Sequence, residues 1–106
     1  MQACYKKQYT VCIDLLEMLH RFNKDDVNAQ FYLGIGYFNL GNYNKALEYF
    51  DSAENNGINV FMQEAEFYKA LSYKKSGQSH EANVLFKKIA SKKLFYSERA
   101  KKEYTD

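Results

Sequence analysis

The chain has 106 residues, 26% of them charged and 46% hydrophobic, with a net charge of +2. This bounds it to one domain with one modest core and excludes an overall basic footprint for nucleic acid; no apolar run approaches the roughly 18 residues of a membrane-crossing helix. Ten Tyr and eight Phe with no Trp and no Pro favour helices joined by Gly and Asn turns over a turn-dense β fold.

Taken in chain order, apolar spacing predicts helices over 1–7, 9–22, 27–40, 43–55, 60–76, 79–92 and 94–104. Lys6, Lys7, Asp14 and Glu17 interrupt the first two, so this stretch does not read as a secretory signal. In the third, Ala29, Leu33, Tyr37 and Leu40 recur at i+3/i+4 spacing, and Ala46, Phe50 and Ala53 do the same in the fourth. Asp26, Asn59 and Ser79 stand where a side chain can accept from the orphan N–H groups of a helix start. Gly41-Asn42 and Gly77-Gln78 separate helix pairs, and a glycine just past a helix end supplies the left-handed residue that closes its last turn.

The stretch FYLGIGYFNLG at 31–41 is not a phosphate loop, because Gly34 and Gly36 fall inside a helix and not at a strand-to-helix turn. Gly36 costs about 1 kcal/mol of helix stability relative to Ala. It marks a point where a ligand or partner backbone would come close.

Few residues suggest chemistry. Cys4 and Cys12 lack C-x-x-C spacing, and with two scattered histidines they form no metal set. Both read as free thiols, Cys12 as a small packing residue; an intermolecular disulfide through Cys4 is the minor alternative. His20 and His80 have no nucleophile or acid at catalytic spacing. Asp14, Glu17, Glu64 and Glu66 read as solvated helix surface. No enzyme and no cofactor is expected. Charge is uneven: residues 1–68 carry −4 and residues 69–106 carry +6. Solvated lysines account for this, and a basic end that meets an acidic partner is the sharper reading.

Sliding the chain by 36 residues lays Gly41 on Gly77, Tyr37 on Tyr73, Ala46 on Ala82, Phe50 on Phe86 and Gly34 on Ala70. Sliding by 34 lays Tyr9 on Tyr43, Cys12 on Ala46, Leu16 on Phe50 and Leu19 on Ala53. Leu33-Gly34-x2-Tyr37 and Ala46-x3-Phe50, followed by Ala53, resemble the tetratricopeptide repeat pattern W-x2-L-G-x2-Y…A-x3-F…P. Gln30 stands at the tryptophan and Ile58 near the proline. The next unit matches through Ala70, Tyr73, Ala82, Phe86 and Ile89, with Lys69 at the leucine; the upstream unit matches through Cys12, Leu16 and Leu19.

The resemblance implies an all-α fold of antiparallel helix-turn-helix repeats, stacked as a short right-handed solenoid. It divides the single domain into a partial repeat (1–25), two repeats (26–58 and 59–93) and a capping helix (94–106). Gly34 is expected to face Ala46, and Ala70 to face Ala82. Tyr37, Phe50, Tyr73 and Phe86 should fill the space between hairpins. The cap should set Leu94, Phe95, Tyr96, Ala100 and Tyr104 against the stack, with Lys101, Lys102 and Glu103 outside.

The opening in mid-unit reads as a piece of a longer protein, with Leu15, Leu16 or Met18 left exposed. The last 44 residues or so are similar to C-terminal repeat segments of bacterial proteins, some of them membrane-anchored with periplasmic repeats. A cytoplasmic or periplasmic setting follows from that likeness alone.

Such repeats bind partner peptides in a concave groove lined by each unit's first helix. The resemblance places there Tyr5, Asn28, Phe31, Ile35, Phe38, Asn39, Glu64, Phe67, Leu71, Lys74 and Lys75. Ile35 and Leu71 stand where a carboxylate-gripping groove needs asparagine, so an apolar or amphipathic helix suits the floor better. The implied function is a non-enzymatic scaffold that binds a protein partner or self-associates. A two-fold dimer through the exposed first unit is favoured over head-to-tail filaments. The alternative is nucleic-acid binding through Lys74, Lys75, Lys87, Lys88, Lys92, Lys93, Lys101 and Lys102, with steep salt dependence. A thermal melt of Ala46→Leu checks the hairpin: overpacking should cost roughly 1–3 kcal/mol.

Overall fold

A computed structural model of the protein describes residues 9–57, 60–91 and 97–103. Its helices are α1 (Tyr9–Phe22), α2 (Val27–Asn39), α3 (Tyr43–Glu54), α4 (Met62–Lys75), α5 (Ser79–Ser91) and α6 (Ser97–Glu103). Each packs chiefly on the next in sequence, and α2 also touches α4. The all-α repeat architecture expected from the spacing is therefore present, with α2/α3 and α4/α5 as two antiparallel hairpins and α6 closing the end. The expected helix over 1–7 lies outside the described residues.

The two hairpin turns are built alike. Gly41 (φ 82°) and Gly77 (φ 86°) take the left-handed conformation. At the first turn, Gly41 N–H donates to Phe38 O at 3.0 Å and Asn42 N–H to Tyr37 O at 2.9 Å. At the second, Gly77 N–H donates to Lys74 O at 3.2 Å and Gln78 N–H to Tyr73 O at 2.8 Å. This paired 5→2 and 6→1 closure satisfies the orphan carbonyls of both first helices.

Helix starts follow the sequence less closely. The Asp26 carboxylate caps α2, accepting from Asn28 N–H at 2.9 Å and Ala29 N–H at 3.4 Å. Asn42 caps α3 by accepting from Lys45 N–H at 3.4 Å. Ser79, expected as a cap, is instead the first residue of α5. Phe61 precedes α4 with no side-chain cap bond, and Asn59 lies outside the described residues.

The core runs as three linked clusters. Ile13, Leu16 and Leu33 join α1 to α2. Phe31, Ala46, Phe50, Ala53 and Ala65 join α2, α3 and α4. Phe67, Ala70, Ala82, Phe86, Ile89 and Ala100 join α4, α5 and α6. Tyr32 and Tyr37 pack against both of the first two clusters, and Tyr73 packs on the third.

The structure shows what lies over Gly34 and corrects the expectation for Gly36. A Cβ on Gly34 would lie 2.6 Å from Cδ1 and Cε1 of Phe50, so the ring of Phe50, not Ala46, is the nearest side chain over this glycine. A Cβ on Gly36 would lie 2.8 Å from Cγ1 of Ile13. The gap at Gly36 is thus filled by α1 and is not an approach for a ligand. In the next unit Ser72 takes this place, fully buried, with Oγ–H donating to Tyr68 O at 2.8 Å.

The upstream unit departs in another way. Leu16 is buried, whereas Leu19, expected to pack like Ala53, is 45% exposed. Cys12 is half-buried and disulfide-bonded, not a free thiol; the only other cysteine in the sequence, Cys4, lies outside the described residues. Of the expected cap residues, Ala100 is fully buried, and Leu94, Phe95, Tyr96 and Tyr104 lie outside the described residues.

Gly34→Ala tests the closest of these contacts. The methyl would gain about 1 kcal/mol of helix propensity, but it would force the fully buried Phe50 ring, 2.6 Å away, to shift within the core. Overpacking of about 1–3 kcal/mol should therefore win, and the melting temperature, followed by far-UV circular dichroism, should fall.

Candidate protein-interaction surface

The face formed by α2 and α4 does not expose all the residues assigned to it. Phe31 is 3% exposed, stacked on Phe61 with centroids 4.5 Å apart and set edge-on to Tyr32 and Tyr68. Phe67 is 1% exposed, packed on Phe86 and covered by the Arg99 guanidinium 4.6 Å from its centroid. Both are core, because the following hairpin or the capping helix closes over them. Ile35, Phe38, Glu64 and Leu71 are half-buried, and Asn28, Asn39, Lys74 and Lys75 are exposed. Phe38 is held edge-on by Tyr43 and Tyr68. Tyr5 lies outside the described residues. Of the apolar residues assigned to this face, Ile35, Phe38 and Leu71 stay half-buried, the first two packed on the α2–α4 cluster and Leu71 on the α4–α6 cluster.

The end of α4 is tied by α6. Lys74 Nζ donates to Glu103 at 2.6 Å, so neither residue is a solvated charge standing alone. Lys88 pairs with Glu66 at 3.3 Å. Glu66, expected on the surface, is only 4% exposed. Of the other lysines in the basic half, Lys75, Lys87, Lys101 and Lys102 are exposed, and Lys92 and Lys93 lie outside the described residues.

Polar residues standing where the repeat pattern asks for large apolar ones carry much of the join between hairpins. Gln30, at the tryptophan position, is 6% exposed. Its amide donates to Lys24 O at 2.8 Å and accepts from Asn56 at 2.9 Å, while Asn56 also donates to Asp25 O at 2.7 Å. Lys69, at the leucine position, bonds Asp51 at 2.8 Å and Glu54 at 3.0 Å across the α3/α4 contact. Burial lowers the affinity of this amine for its proton, but the hydrogen bonds it donates to the two carboxylates outweigh it and raise the pKa. The periodic reading missed these links, although a Gln and a Lys at core positions of a helix are themselves a signal that partners must be supplied.

A third network joins α1, α2 and α3. The Tyr37 hydroxyl donates to Glu17, and the Tyr37 ring lies flat against Tyr49 at 5.7 Å with Lys45 Nζ 5.2 Å from its centroid. His20 meets Tyr49 edge-on at 5.7 Å. Glu17 is thus an interhelical acceptor and not merely solvated surface. Burial, then the bond to Glu17, pushes the Tyr37 phenol well above its ordinary range; burial and the charge of Glu17 raise Tyr49 as well.

A shallow cavity of about 380 Å³ lies between α4 and α5, lined by Lys69, Tyr73, His80, Glu81, Val84 and Leu85. Among the described residues no group of His, Cys, Asp and Glu could hold a metal ion, and none of the helices is long and apolar enough to cross a membrane.

Residues 20–103 match the family described as T7SS, ESX-1 secretion system protein EccA1, N-terminal domain. The chain belongs to this family. The matched span runs from the end of α1 to the end of α6, so the EccA1 N-terminal domain match takes in both hairpins and the capping helix. No curated protein and no solved structure matches the chain.

The tyrosine network sets an alkaline limit. Above the ordinary phenol value of 10.0, the unfolded chain releases protons that Tyr37 and Tyr49 retain when folded. The unfolded state then binds fewer protons, so stability falls as pH rises, and the raised Lys69 adds in the same direction above 10.5. Urea melts between about pH 9 and 11 should show this decline, and Tyr37→Phe should make it shallower.

Proposed function

We propose that the chain is a non-enzymatic, tetratricopeptide-type interaction module that takes an amphipathic helix of a partner protein along α2 and α4. The observation that carries this reading is that Ile35 and Phe38 of α2 and Leu71 of α4 stay half-buried while Asn28, Asn39 and Lys75 on the same two helices are exposed; the proposal sets the three apolar residues in one row. A helix laid in such a row would bury its own apolar stripe, read at i, i+3/i+4 and i+7 spacing. The exposed Lys75 favours acidic residues on that helix's flank. The family's name ties it to a secretion system, which supports a protein component of such a machine as the partner class. The nucleic-acid alternative is weaker, since Lys74 and Lys88 are engaged by Glu103 and Glu66.

A synthetic amphipathic peptide of leucine, alanine and glutamate, titrated against labelled protein and followed by amide NMR shifts, tests the groove. Saturable shifts should cluster around Ile35, Phe38 and Leu71, and Leu71→Glu should weaken binding at least about tenfold. No saturation, or shifts confined to α1, would refute the groove as the binding face.

A further inference from the structure

The outer face of α1 is apolar and lies away from α2. Leu15, Met18, Leu19 and Phe22 are 58%, 47%, 45% and 87% exposed. They stand at i, i+3, i+4 and i+7, which places all four on one stripe about two turns long. Ile13 and Leu16, on the opposite side, are buried against α2. No other described helix concentrates exposed apolar side chains in this way: Leu40, Val60 and Val84 are scattered singly, which is ordinary for a protein surface.

We infer that this stripe pairs with the same stripe of a second copy, the two α1 helices running antiparallel about a two-fold axis. The sequence of α1 argues for this occupant. The stripe is symmetric about the point between Met18 and Leu19. Antiparallel pairing sets Leu15 beside Phe22 of the second copy and Met18 beside Leu19 of the second copy, so large side chains meet throughout.

The charges on one flank agree. Asp14 and Arg21 are seven residues apart, hence on the same edge of the stripe, and both are exposed. Neither enters an ion pair among the described residues. A two-fold axis between antiparallel helices keeps this edge of one copy beside the same edge of the other, where Asp14 and Arg21 of the second copy are offset by two residues, about 3 Å along the axis, which the long arginine side chain spans; in a parallel pair the two edges lie on opposite sides and the charges do not meet. Antiparallel alignment also opposes the two helix dipoles.

This contact goes beyond the groove and does not involve it. Four side chains fall short of the roughly 800 Å² per partner of a stable interface, so the dimer is weak and concentration-dependent.

Sedimentation equilibrium of the full chain over a concentration series up to about 1 mM tests the pairing. A reversible monomer–dimer equilibrium is expected. Phe22→Ser and Leu15→Ser should each weaken it at least about tenfold, with helicity unchanged as the check on folding. Asp14→Arg and Arg21→Asp should each weaken it about three- to tenfold, and the double variant should restore it, because the swapped charges again meet their opposites. A monomer throughout, a dimer indifferent to both serine variants, or a double variant no better than the single ones overturns the proposal.

Discussion

Everything in this fold hangs on how closely α2 can be approached from two sides. Gly34 admits the Phe50 ring from α3, and Gly36 admits Ile13 from α1. A methyl at either position would occupy space already taken. With both sides open, one central helix holds its neighbours at short range, and Leu33 between them is fully buried. The next unit repeats the scheme with Ala70 and Ser72, both fully buried. There the residue at the second position is polar, and its hydroxyl is satisfied by its own helix.

The other constraint is polar. Gln30 and Lys69 fill slots that the repeat pattern assigns to large apolar side chains, and Glu66 is nearly buried as well. Each is matched: Gln30 by the two inter-hairpin turns, Lys69 by two carboxylates of α3, and Glu66 by Lys88 of α5. Partly buried pairs of this kind contribute little net stability, because desolvation offsets the Coulomb gain, but losing one partner is costly. They therefore fix which helix sits against which, more than how firmly.

The helices, the two hairpin glycines and the core aromatics Phe50 and Phe86 were legible in the sequence, because period 3.6 and a fixed offset report burial directly. What could not be read was direction. Phe31 and Phe67 occupy positions that face a groove by register, yet the chain folds Phe61 over one and Arg99 over the other. Covering of that kind depends on how segments distant in sequence meet. Gly36 was misread for the same reason, since its partner Ile13 belongs to a separate helix, α1. The disulfide bond of Cys12 escaped because cysteine spacing alone does not specify pairing.

The order of contacts along the chain has a kinetic meaning. Each helix finds its main partner in the helix that follows it, and the longer contacts described skip a single helix, α1 to α3, α2 to α4 and α4 to α6. Loop closure between such neighbours costs little entropy, and low contact order goes with fast folding. A nascent chain can therefore complete each interface as soon as the next helix clears the ribosome, and α6 reaches Phe67 after the hairpins it covers have been made.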